Sequence, residues 1–399
     1  MIEVGSDFSG VGAFNQALDK INLKYKTIFA CDMDKYARKT YIENYGEPNY
    51  YPENVYDREI PEKPLDIYMT SPPCQSFSLA GKRKGEDSVN GVLFYNSHEF
   101  IVKNKPRFFI FENVKGLLSD AKGRTFQIWL DMLGGKTVNG NPVIFPREDA
   151  TPYHIYHQVL NAKHYGVPQN RERVFIIGIR DDADNSFQFP KPFHLVKKLK
   201  DVLEKNVDKK FYLSDVNVKN LLIYNQRQLE NGTGFSAKFR DIESVYTMDA
   251  LKCGGGGKDD LIKVKSANKL GYEIATENDS INLTFPDSIT RRGRVGKQVA
   301  QTLDTACNQG IVIHGGSQDN CAKMLNISPC LTTAMGLGGG HVPRMMNYEI
   351  RRLTPRECFR LMDFPDTFKM PCSNSQMYKQ AGNSIVVNVL SELISKLKT

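Results

Sequence analysis

The chain lacks several features that would assign it to a class directly. No run of about 18 or more apolar residues occurs, which argues against a membrane-spanning helix. The opening residues, MIEVGSDFSG, do not have the basic-then-apolar order of a signal peptide. The cysteines form no CxxC pair and no cluster with histidine at metal-ligand spacing. We therefore expect a cytoplasmic protein with reduced thiols, no membrane contact and no metal site.

The composition is that of an ordinary globular protein with a modest positive charge. Hydrophobic residues make up 40% of the 399 residues, which suits a sizeable core. The length suggests roughly two or three domains. A formal net charge of +8 is compatible with a polyanionic partner but is also common among soluble proteins. Charge alone therefore leaves the partner open.

Residues 1 to about 180 alternate strand-like and helix-like segments. Strand patterns cover 2–7, 27–31, 65–69, 107–111, 155–160 and 173–179, and amphipathic stretches cover 13–21, 34–45, 92–104 and 124–133. This alternation predicts βαβ units and a largely parallel sheet with helices on both faces. Ligands of such sheets bind beyond the carboxyl ends of the strands, so the loops after these strands are the candidate sites.

The pattern changes between about 185 and 345. Helical periodicity fades there, and the glycine clusters CGGGG (253–257) and GLGGG (336–340) appear. Three weakly similar segments recur, at 244–250, 299–305 and 327–333. We expect one domain built from 1–184 and 346–399, with residues 185–345 inserted as a separate, irregular strand-and-loop domain.

Regular patterns return after residue 345. Thr354 is placed to cap a helix, with Pro355 at its first position and Glu357 three residues after the cap. The last segment puts one apolar face on a helix, formed by Ile385, Val389, Leu393 and Leu397. That face should dock on the first domain.

The first candidate loop is DFSGVGAF (7–14), after the first strand. Gly10 and Gly12 allow a tight turn and a close approach of the backbone to a ligand. Asp32 ends the second strand pattern, where a carboxylate can accept hydrogen bonds from both ribose hydroxyls. With only two glycines, the pattern fits a nucleoside-type cofactor and a plain strand–turn–helix equally.

Cys74 lies in TSPPCQSFS (70–78), after the third strand. Pro72 and Pro73 fix two φ angles and so hold the position of the thiol, and the residues that follow it are polar. This setting suits a nucleophile better than a packing cysteine, with a structural thiol in a loop as the alternative.

Charged residues follow or open two further strands. Glu112, in FENV, should be partly desolvated beside Phe111, which raises its pKa and suits a proton donor; a capping or surface glutamate is the alternative. Arg171 and Arg173, in QNRERVFII (169–177), are two residues apart at the entry of a strand, so we expect both to point to one face. Such a pair holds an anion or a polar ring, unless the arginines simply enter an exposed strand edge.

In motif, order and spacing, FSGVG, PPCQSFS, ENV, QNRERV, RRLTPRE and GNS resemble the cytosine-C5 DNA methyltransferase family of bacterial or phage type. The resemblance covers about 1–180 and 346–399. It implies an α/β fold: a Rossmann-like S-adenosylmethionine-dependent methyltransferase domain with an inserted, smaller, irregular strand-and-loop target-recognition domain. It also implies an enzyme like those of restriction-modification systems. Such an enzyme methylates C5 of a flipped-out cytosine in a specific duplex sequence, here through a covalent adduct between Cys74 and C6.

The resemblance assigns roles by position. In catalysis, Cys74 is the nucleophile, Glu112 acts at N3 of the base and Arg173 at O2. Arg171 supports the nucleophile loop, and Asn113 fixes that loop or the flipped base. The positions that match binding of S-adenosyl-L-methionine, with S-adenosyl-L-homocysteine as product, are Phe8, Gly10, Gly12, Asp32, Met33, Asn54, Val55, Pro73, Asn383 and Ser384. Asn54 departs from the family's pattern, which often has Asp near the adenine amine.

Candidate DNA contacts lie in two basic segments. Residues 76–93 are polar, basic and glycine-containing, as expected of a lid that closes over DNA. TRRGRVGK (290–297) fits phosphate contact or base reading, with a solvated loop as the alternative. The candidates are Gln75, Ser78, Lys82, Arg83, Lys84, Arg291, Arg292 and Arg294. Thr302-Leu303 resembles a pair that the family carries, but Cys330-Leu331 stands nearer the next motif, so the repeat that faces the flipped base is left open.

Two other functions share parts of the pattern. A tRNA cytosine-C5 methyltransferase has the same catalytic residues, but the long middle region favours DNA. A non-catalytic DNA-binding regulator would be expected to lose Cys74, Glu112 or the arginines, and none is missing. We therefore expect a monomeric enzyme whose partner is double-stranded DNA. Whether a cognate restriction endonuclease, acting separately, accompanies it is left open.

Overall fold

Strands and helices alternate through the first half of the chain. The computed structural model describes residues 1–73, 89–183, 186–211, 262–267, 272–275, 278–282, 293–303, 309–315 and 347–398. Its strands are β1 (Ile2–Asp7), β2 (Tyr25–Cys31), β3 (Ile67–Thr70), β4 (Phe108–Val114), β5 (Thr137–Val138), β6 (Asn141–Pro142), β7 (Tyr153–Asn161), β8 (Gln169–Asn170), β9 (Glu172–Arg180), β10 (Ile262–Lys265), β11 (Tyr272–Ala275), β12 (Ser280–Asn282), β13 (Val295–Gly296), β14 (Ala300–Gln301), β15 (Gln309–Gly315) and β16 (Asn347–Arg352). Its α-helices are α1 (Ala13–Lys20), α2 (Lys35–Tyr45), α3 (Val89–Asn104), α4 (Arg124–Leu133), α5 (Pro355–Arg360), α6 (Asn374–Asn383) and α7 (Val387–Ile394).

The local predictions for the first 180 residues are confirmed. The six strand patterns correspond to β1, β2, β3, β4, β7 and β9, and the four amphipathic stretches correspond to α1 to α4. Bounds shift by a few residues, as is usual at element ends. None of the helices in the described ranges is long and apolar enough to cross a membrane.

An eight-stranded sheet in the order β2-β1-β3-β4-β9-β7-β5-β6 forms the centre of the fold. β1 to β4 pair in parallel, as expected. However, β9 is antiparallel to both β4 and β7, so the sheet is mixed and the expectation of a largely parallel sheet needs correction. The chain between β7 and β9 is too short for a crossover helix, so it can only turn back on itself.

Both ends of the chain contribute to one core. Ile385, Val389, Leu393 and Leu397 are all buried, and α7 packs against α1, which confirms the predicted docking face. The predicted cap of α5 is also confirmed. The Thr354 hydroxyl accepts from the Glu357 amide at 3.2 Å, and the Glu357 carboxylate accepts from the Thr354 amide at 2.8 Å.

The chain divides into two compact units. The first contains Met1–Leu203, Val299–Cys307 and Thr354–Thr399, and the second contains Glu204–Gln298 and Asn308–Leu353. The first holds the eight-stranded sheet; the second holds the β10-β11 pair and an antiparallel sheet in the order β13-β12-β15-β16. The first unit thus runs to Leu203 and resumes at Thr354, where the expected insertion covered 185–345. It also contains a middle segment, in which β14 pairs in parallel with β8.

Candidate active site

The candidate residues of the first unit converge at one edge of its sheet. Asp7, the last residue of β1, lies opposite both Cys31 and Thr70, the last residues of β2 and β3. At β4, Val114 lies opposite Arg173, so β9 begins where β4 ends. We call this edge, where β1 to β4 end, the site edge. It brings together the glycine loop, Asp32, the segment leading to Cys74, and the ENV and QNRERV motifs.

The glycine loop follows β1 in a left-handed backbone. Phe8 and Gly10 have φ of 55°, and Gly12 has φ of 87°. A Cβ at Gly12 would lie 2.3 Å from the Tyr45 ring. This position therefore requires glycine both for its left-handed φ and for lack of space. The Gly10 amide donates to the Asp32 carboxylate at 2.8 Å. The acid predicted to bind ribose therefore also fixes the loop.

Asp32 has capacity for a further ligand. Its second oxygen accepts from the Asp34 amide at 2.8 Å, so each oxygen has one amide donor. Burial raises the pKa of Asp32, although the amides of Asp34 and Gly10 favour the charged form. A carboxylate offers about four lone-pair sites, which leaves two for the hydroxyls of a ribose. The residues present therefore fit a nucleoside cofactor.

The other cofactor candidates differ in exposure. Met33, next to Asp32, is 83% exposed and presents an apolar side chain to solvent. Asn54 and Pro73 are exposed, and Val55 is buried. At the end of α6, Asn383 is exposed and Ser384 is buried. The Asn54 side chain accepts from the Tyr56 amide at 3.1 Å, so it shapes its own loop.

Tyr51 is a residue of this region that the sequence did not indicate. Its hydroxyl lies 3.3 Å from the Ser9 hydroxyl in the glycine loop. The Arg38 guanidinium lies 3.9 Å from the centroid of the Tyr51 ring and donates to the Pro52 carbonyl at 3.0 Å. The Asp32 amide also donates to Pro52, so the tyrosine-bearing segment runs beside the end of β2. A tyrosine pair at 50–51 in a polar stretch is the signal that could have found it.

Glu112, which is buried, forms an ion pair at the site edge with Arg173, which is half-buried. Glu112 is 7% exposed, and its carboxylate lies 3.1 Å from Nε of Arg173. Burial raises the pKa of Glu112, while Arg173 and then Arg171 oppose the rise. The predicted upward shift is thus confirmed. A carboxyl group of raised pKa beside a fixed cation can donate a proton and hold the charge that remains.

Arg171 is buried and binds three backbone carbonyls. Its guanidinium donates to Leu303 at 3.3 Å, to Gly382 at 3.1 Å and to Ser384 at 2.8 Å. Because these carbonyls come from two distant stretches of sequence, Arg171 joins the QNRERV segment to residues 299–303 and to the GNS motif. Arg171 lies between β8 and β9, so the strand spacing that predicted one face for both arginines does not apply to it, although both arginines act electrostatically on Glu112.

Asn113 contacts the backbone that leads into the nucleophile segment. It is buried, and its amide nitrogen lies 3.4 Å from the Pro72 carbonyl. Its own side-chain oxygen accepts from the Val114 amide at 2.8 Å. Asn113 thus contacts the backbone two residues before Cys74, and its role in fixing the loop or the flipped base stays a prediction.

Several predicted residues lie outside the described residues. They are Cys74, Gln75, Ser78, Lys82, Arg83, Lys84, Arg291 and Arg292, together with the Cys330-Leu331 pair. Arg294 is described, in the second unit. It is 4% exposed and donates to the Asn282 carbonyl at 2.7 Å, so its guanidinium stabilises the backbone of that unit. Its contact with DNA stays a prediction.

The Thr302-Leu303 pair lies within the first unit, beside the QNRERV segment. The Thr302 hydroxyl donates to the Asn170 carbonyl at 2.8 Å, and the Leu303 amide donates to the Gln169 side chain at 3.2 Å. Three similar segments were found in the sequence. The described residues of one of them, 299–303, thus lie next to the arginines.

Comparison with known proteins agrees with these observations. The family model for C-5 cytosine-specific DNA methylases matches residues 2–399. The orphan methyltransferase M.SPRI of Bacillus phage SPR is 30% identical, covering 99% of this chain and 97% of that protein. The type II methyltransferase M.HpaII of Haemophilus parainfluenzae is 31% identical, covering 98% and 87%. A DNMT2 variant of Spodoptera frugiperda has the same α/β methyltransferase fold, with a TM-score of 0.56, 18% identity and coverage of 100% of both chains.

Proposed function

The chain belongs to the C-5 cytosine-specific DNA methylase family, and we propose that it methylates C5 of a flipped-out cytosine in a specific duplex DNA sequence, with S-adenosyl-L-methionine as donor. The observation that carries the mechanism is the Glu112–Arg173 ion pair at 3.1 Å, at the edge where Asn113 contacts the Pro72 carbonyl, two residues before Cys74. It combines a candidate proton donor with a cation.

The glycine loop and Asp32 would hold the donor, which supplies an electrophilic methyl group on sulfur. Left-handed Gly10 leaves open space where a side chain would stand, so the backbone can approach a ligand. The Asp32 carboxylate would accept from the ribose hydroxyls, and exposed Met33 would pack on the adenine. S-adenosyl-L-homocysteine would be the product.

The thiolate of Cys74 would start the reaction by adding to C6 of the cytosine. A C6–S bond forms, the C5–C6 π electrons move into the ring, and Glu112 donates its proton to N3. The ring becomes an enamine whose C5 is nucleophilic, so one difficult step is divided into easier ones. Arg173 would hold O2, where negative charge develops.

Release would reverse the addition. Once C5 carries the methyl group, a base removes the C5 proton and that electron pair re-forms the C5–C6 double bond. The C6–S bond breaks, the Cys74 thiolate leaves, and Glu112 recovers the proton from N3. The target cytosine must lie outside the stack of base pairs so that the thiol can reach the face of its ring, and flipping it out costs a few kcal/mol.

We assign DNA reading to the middle region, expected at 185–345. The segment 299–305 is our candidate for facing the flipped base, since Thr302 bonds to Asn170, next to Arg171. Double-stranded DNA is the proposed partner of a monomer. Relatives include proteins named orphan and type II methyltransferases, so a separate cognate endonuclease stays open.

A suicide substrate tests this function. Bisulfite sequencing of plasmid DNA from expressing cells first identifies the methylated site. Duplex DNA carrying 5-fluorocytosine at that site, incubated with protein and donor, should give a complex that survives denaturation, because fluorine cannot leave C5 as a proton.

The same assay separates the alternatives. Cys74→Ser should abolish the complex, since an unactivated hydroxyl is a far weaker nucleophile. Cys372→Ser, which changes a half-buried cysteine whose thiol contacts the Tyr36 carbonyl of α2, should retain it. A complex with Cys74→Ser, or methylation of tRNA but not of DNA, would overturn the proposal.

A further inference from the structure

Three buried polar side chains lie beneath the glycine loop and take no part in the proposed reaction. Nε of Arg58 lies 2.9 Å and 3.1 Å from the two carboxylate oxygens of Asp7. The Tyr68 hydroxyl donates to the same carboxylate at 2.6 Å. The side chains of Arg58 and Asp7 are 2% and 0% exposed, and Tyr68 is also fully buried. We call these residues the Asp7 cluster.

The surroundings of the Asp7 cluster are aromatic. The Arg58 guanidinium lies 4.6 Å from the centroid of the Phe100 ring, which stacks on Tyr68 at 4.1 Å. An ion pair in such a place contributes little net stability, because desolvation offsets much of the attraction and apolar residues of similar volume often serve as well. Core stability alone therefore does not explain the Asp7 cluster.

The position of Asp7 indicates another role. It ends β1 and directly precedes Phe8, whose φ of 55° is left-handed. A non-glycine residue in that region is strained and persists only when its surroundings hold it. The next amide, of Ser9, bonds to the Cys31 carbonyl at 2.9 Å, and Gly10 bonds to Asp32. Asp7 thus holds the entry of the loop, and Asp32 holds its middle.

Arg58 links this entry to a second part of the candidate donor site. It follows Asn54 and Val55 closely in the chain, and the Asp57 amide donates to the Asn54 carbonyl at 3.2 Å. Through one carboxylate, the Asp7 cluster therefore connects the glycine loop, the 54–58 turn and β3, which carries Tyr68.

We propose that Arg58 and Tyr68 are positioning residues for the methyl-donor site, acting through Asp7 to hold Phe8–Gly12 and the 54–58 turn in the binding conformation. This inference rests on the proposed function, since it takes the glycine loop as the donor site. Holding a loop in its bound conformation before the ligand arrives improves affinity by reducing the ordering that binding requires.

Tyr68→Phe removes one hydroxyl and leaves the aromatic packing in place. The matched control is Tyr153→Phe, which also removes one buried hydroxyl, donated at 2.5 Å to the Pro106 carbonyl at the sheet edge opposite the site edge. Both changes lose one buried hydrogen bond, but Tyr68 donates to a carboxylate and Tyr153 to a neutral carbonyl, so Tyr68→Phe should lose more global stability. The midpoint of urea denaturation is therefore measured for both variants, and binding and exchange are compared under conditions in which both are folded.

Calorimetric titration with S-adenosyl-L-homocysteine is the first measurement. Tyr68→Phe should weaken binding about 5- to 20-fold, while Tyr153→Phe should stay within about twofold of the unmodified protein. Arg58→Met removes the cation and should weaken binding more than Tyr68→Phe does. Arg58→Lys keeps the charge but offers a single point of contact, so its affinity should lie between those of Tyr68→Phe and Arg58→Met. The KM for DNA should be unchanged by Tyr68→Phe.

Hydrogen exchange of the ligand-free protein separates this inference from the proposed function. The amides of Ser9, Gly10 and Gly12 are all hydrogen-bonded, and peptides containing them should exchange faster in Tyr68→Phe but not in Tyr153→Phe. If the unmodified protein binds no cofactor, the proposed function fails while the exchange result still tests the cluster. If it binds, and the two Tyr→Phe variants match in affinity and exchange, the inference is overturned.

Discussion

Replacing Arg171 by methionine should destabilise the first unit strongly. The guanidinium makes three hydrogen bonds to backbone carbonyls, at 2.8 Å to Ser384, 3.1 Å to Gly382 and 3.3 Å to Leu303. Methionine has a similar length and would fill part of the space, but it cannot donate. All three carbonyls belong to buried residues, so water does not readily replace the lost donor.

The expected magnitude follows from the two shorter bonds. A hydrogen bond to a charged group contributes about 1.5–3 kcal/mol, which gives about 3–6 kcal/mol for the pair at 2.8 and 3.1 Å. The longer bond adds little. Since folded domains are typically stable by about 5–15 kcal/mol, such a loss is a large fraction of the total.

The chain's one tryptophan provides the assay. Trp129 is buried in α4 of the first unit, so its fluorescence during urea denaturation reports on that unit. Arg180→Met is the control. Its guanidinium also makes three hydrogen bonds, to Asp182 and to the Lys105 carbonyl, but at an exposed place where the loss should be about 1 kcal/mol or less. If Arg171→Met costs no more than Arg180→Met, the assignment of Arg171 as a buried backbone anchor is wrong.

Four further predictions concern the reacting groups and the DNA. Burial raises the pKa of Glu112, so kcat should fall as pH rises through that raised pKa if the acid form of Glu112 is required. Arg173→Met removes the cation that opposes the rise. In steady-state pH profiles of this variant, the fall in kcat should therefore occur at higher pH. An unmoved profile would argue against their coupling. Glu112→Gln should lower kcat by about 10²–10⁴-fold with little change in DNA affinity measured by titration, and a nearly normal kcat would exclude it as the acid. Asp32→Ala should weaken donor binding in calorimetry by about tenfold or more, because charge-assisted hydrogen bonds are lost, and unchanged affinity would remove Asp32 from the site. Replacing residues 185–345 by the corresponding region of a relative of different specificity should change the DNA sequence that is methylated, as mapped by bisulfite sequencing. If the methylated sequence is unchanged, residues 185–345 do not select the DNA sequence.

Local patterns predicted most elements of the first unit. The cap of α5 depends on Thr354, Pro355 and Glu357, which lie within four positions of one another, so the sequence carries the whole signal. The raised pKa of Glu112 was also accessible, because a carboxyl group among apolar strand residues is desolvated wherever the strand is buried.

Contacts between distant segments were not accessible in the same way. The reversal of β9 depends on the length of the β7–β9 connection and on pairing partners that no local pattern specifies. The carbonyls bound by Arg171 come from stretches more than a hundred positions away, and carbonyl groups have no sequence signature. Arg58 looks like a surface residue in sequence, and only the fold shows that it pairs with Asp7 in an aromatic interior.

The packing of α7 on α1 has a consequence for how the protein is made. The Ser391 hydroxyl bonds to the Ala17 carbonyl across 374 positions of the chain, and the two helices cover each other's apolar faces. On a ribosome adding about 5–20 residues per second, α1 emerges on the order of tens of seconds before its cover is synthesised. During that interval the apolar face of α1, which leads directly from the glycine loop, is available to chaperones and to other nascent chains. Completion of this layer therefore waits until Val387–Ile394 has been synthesised.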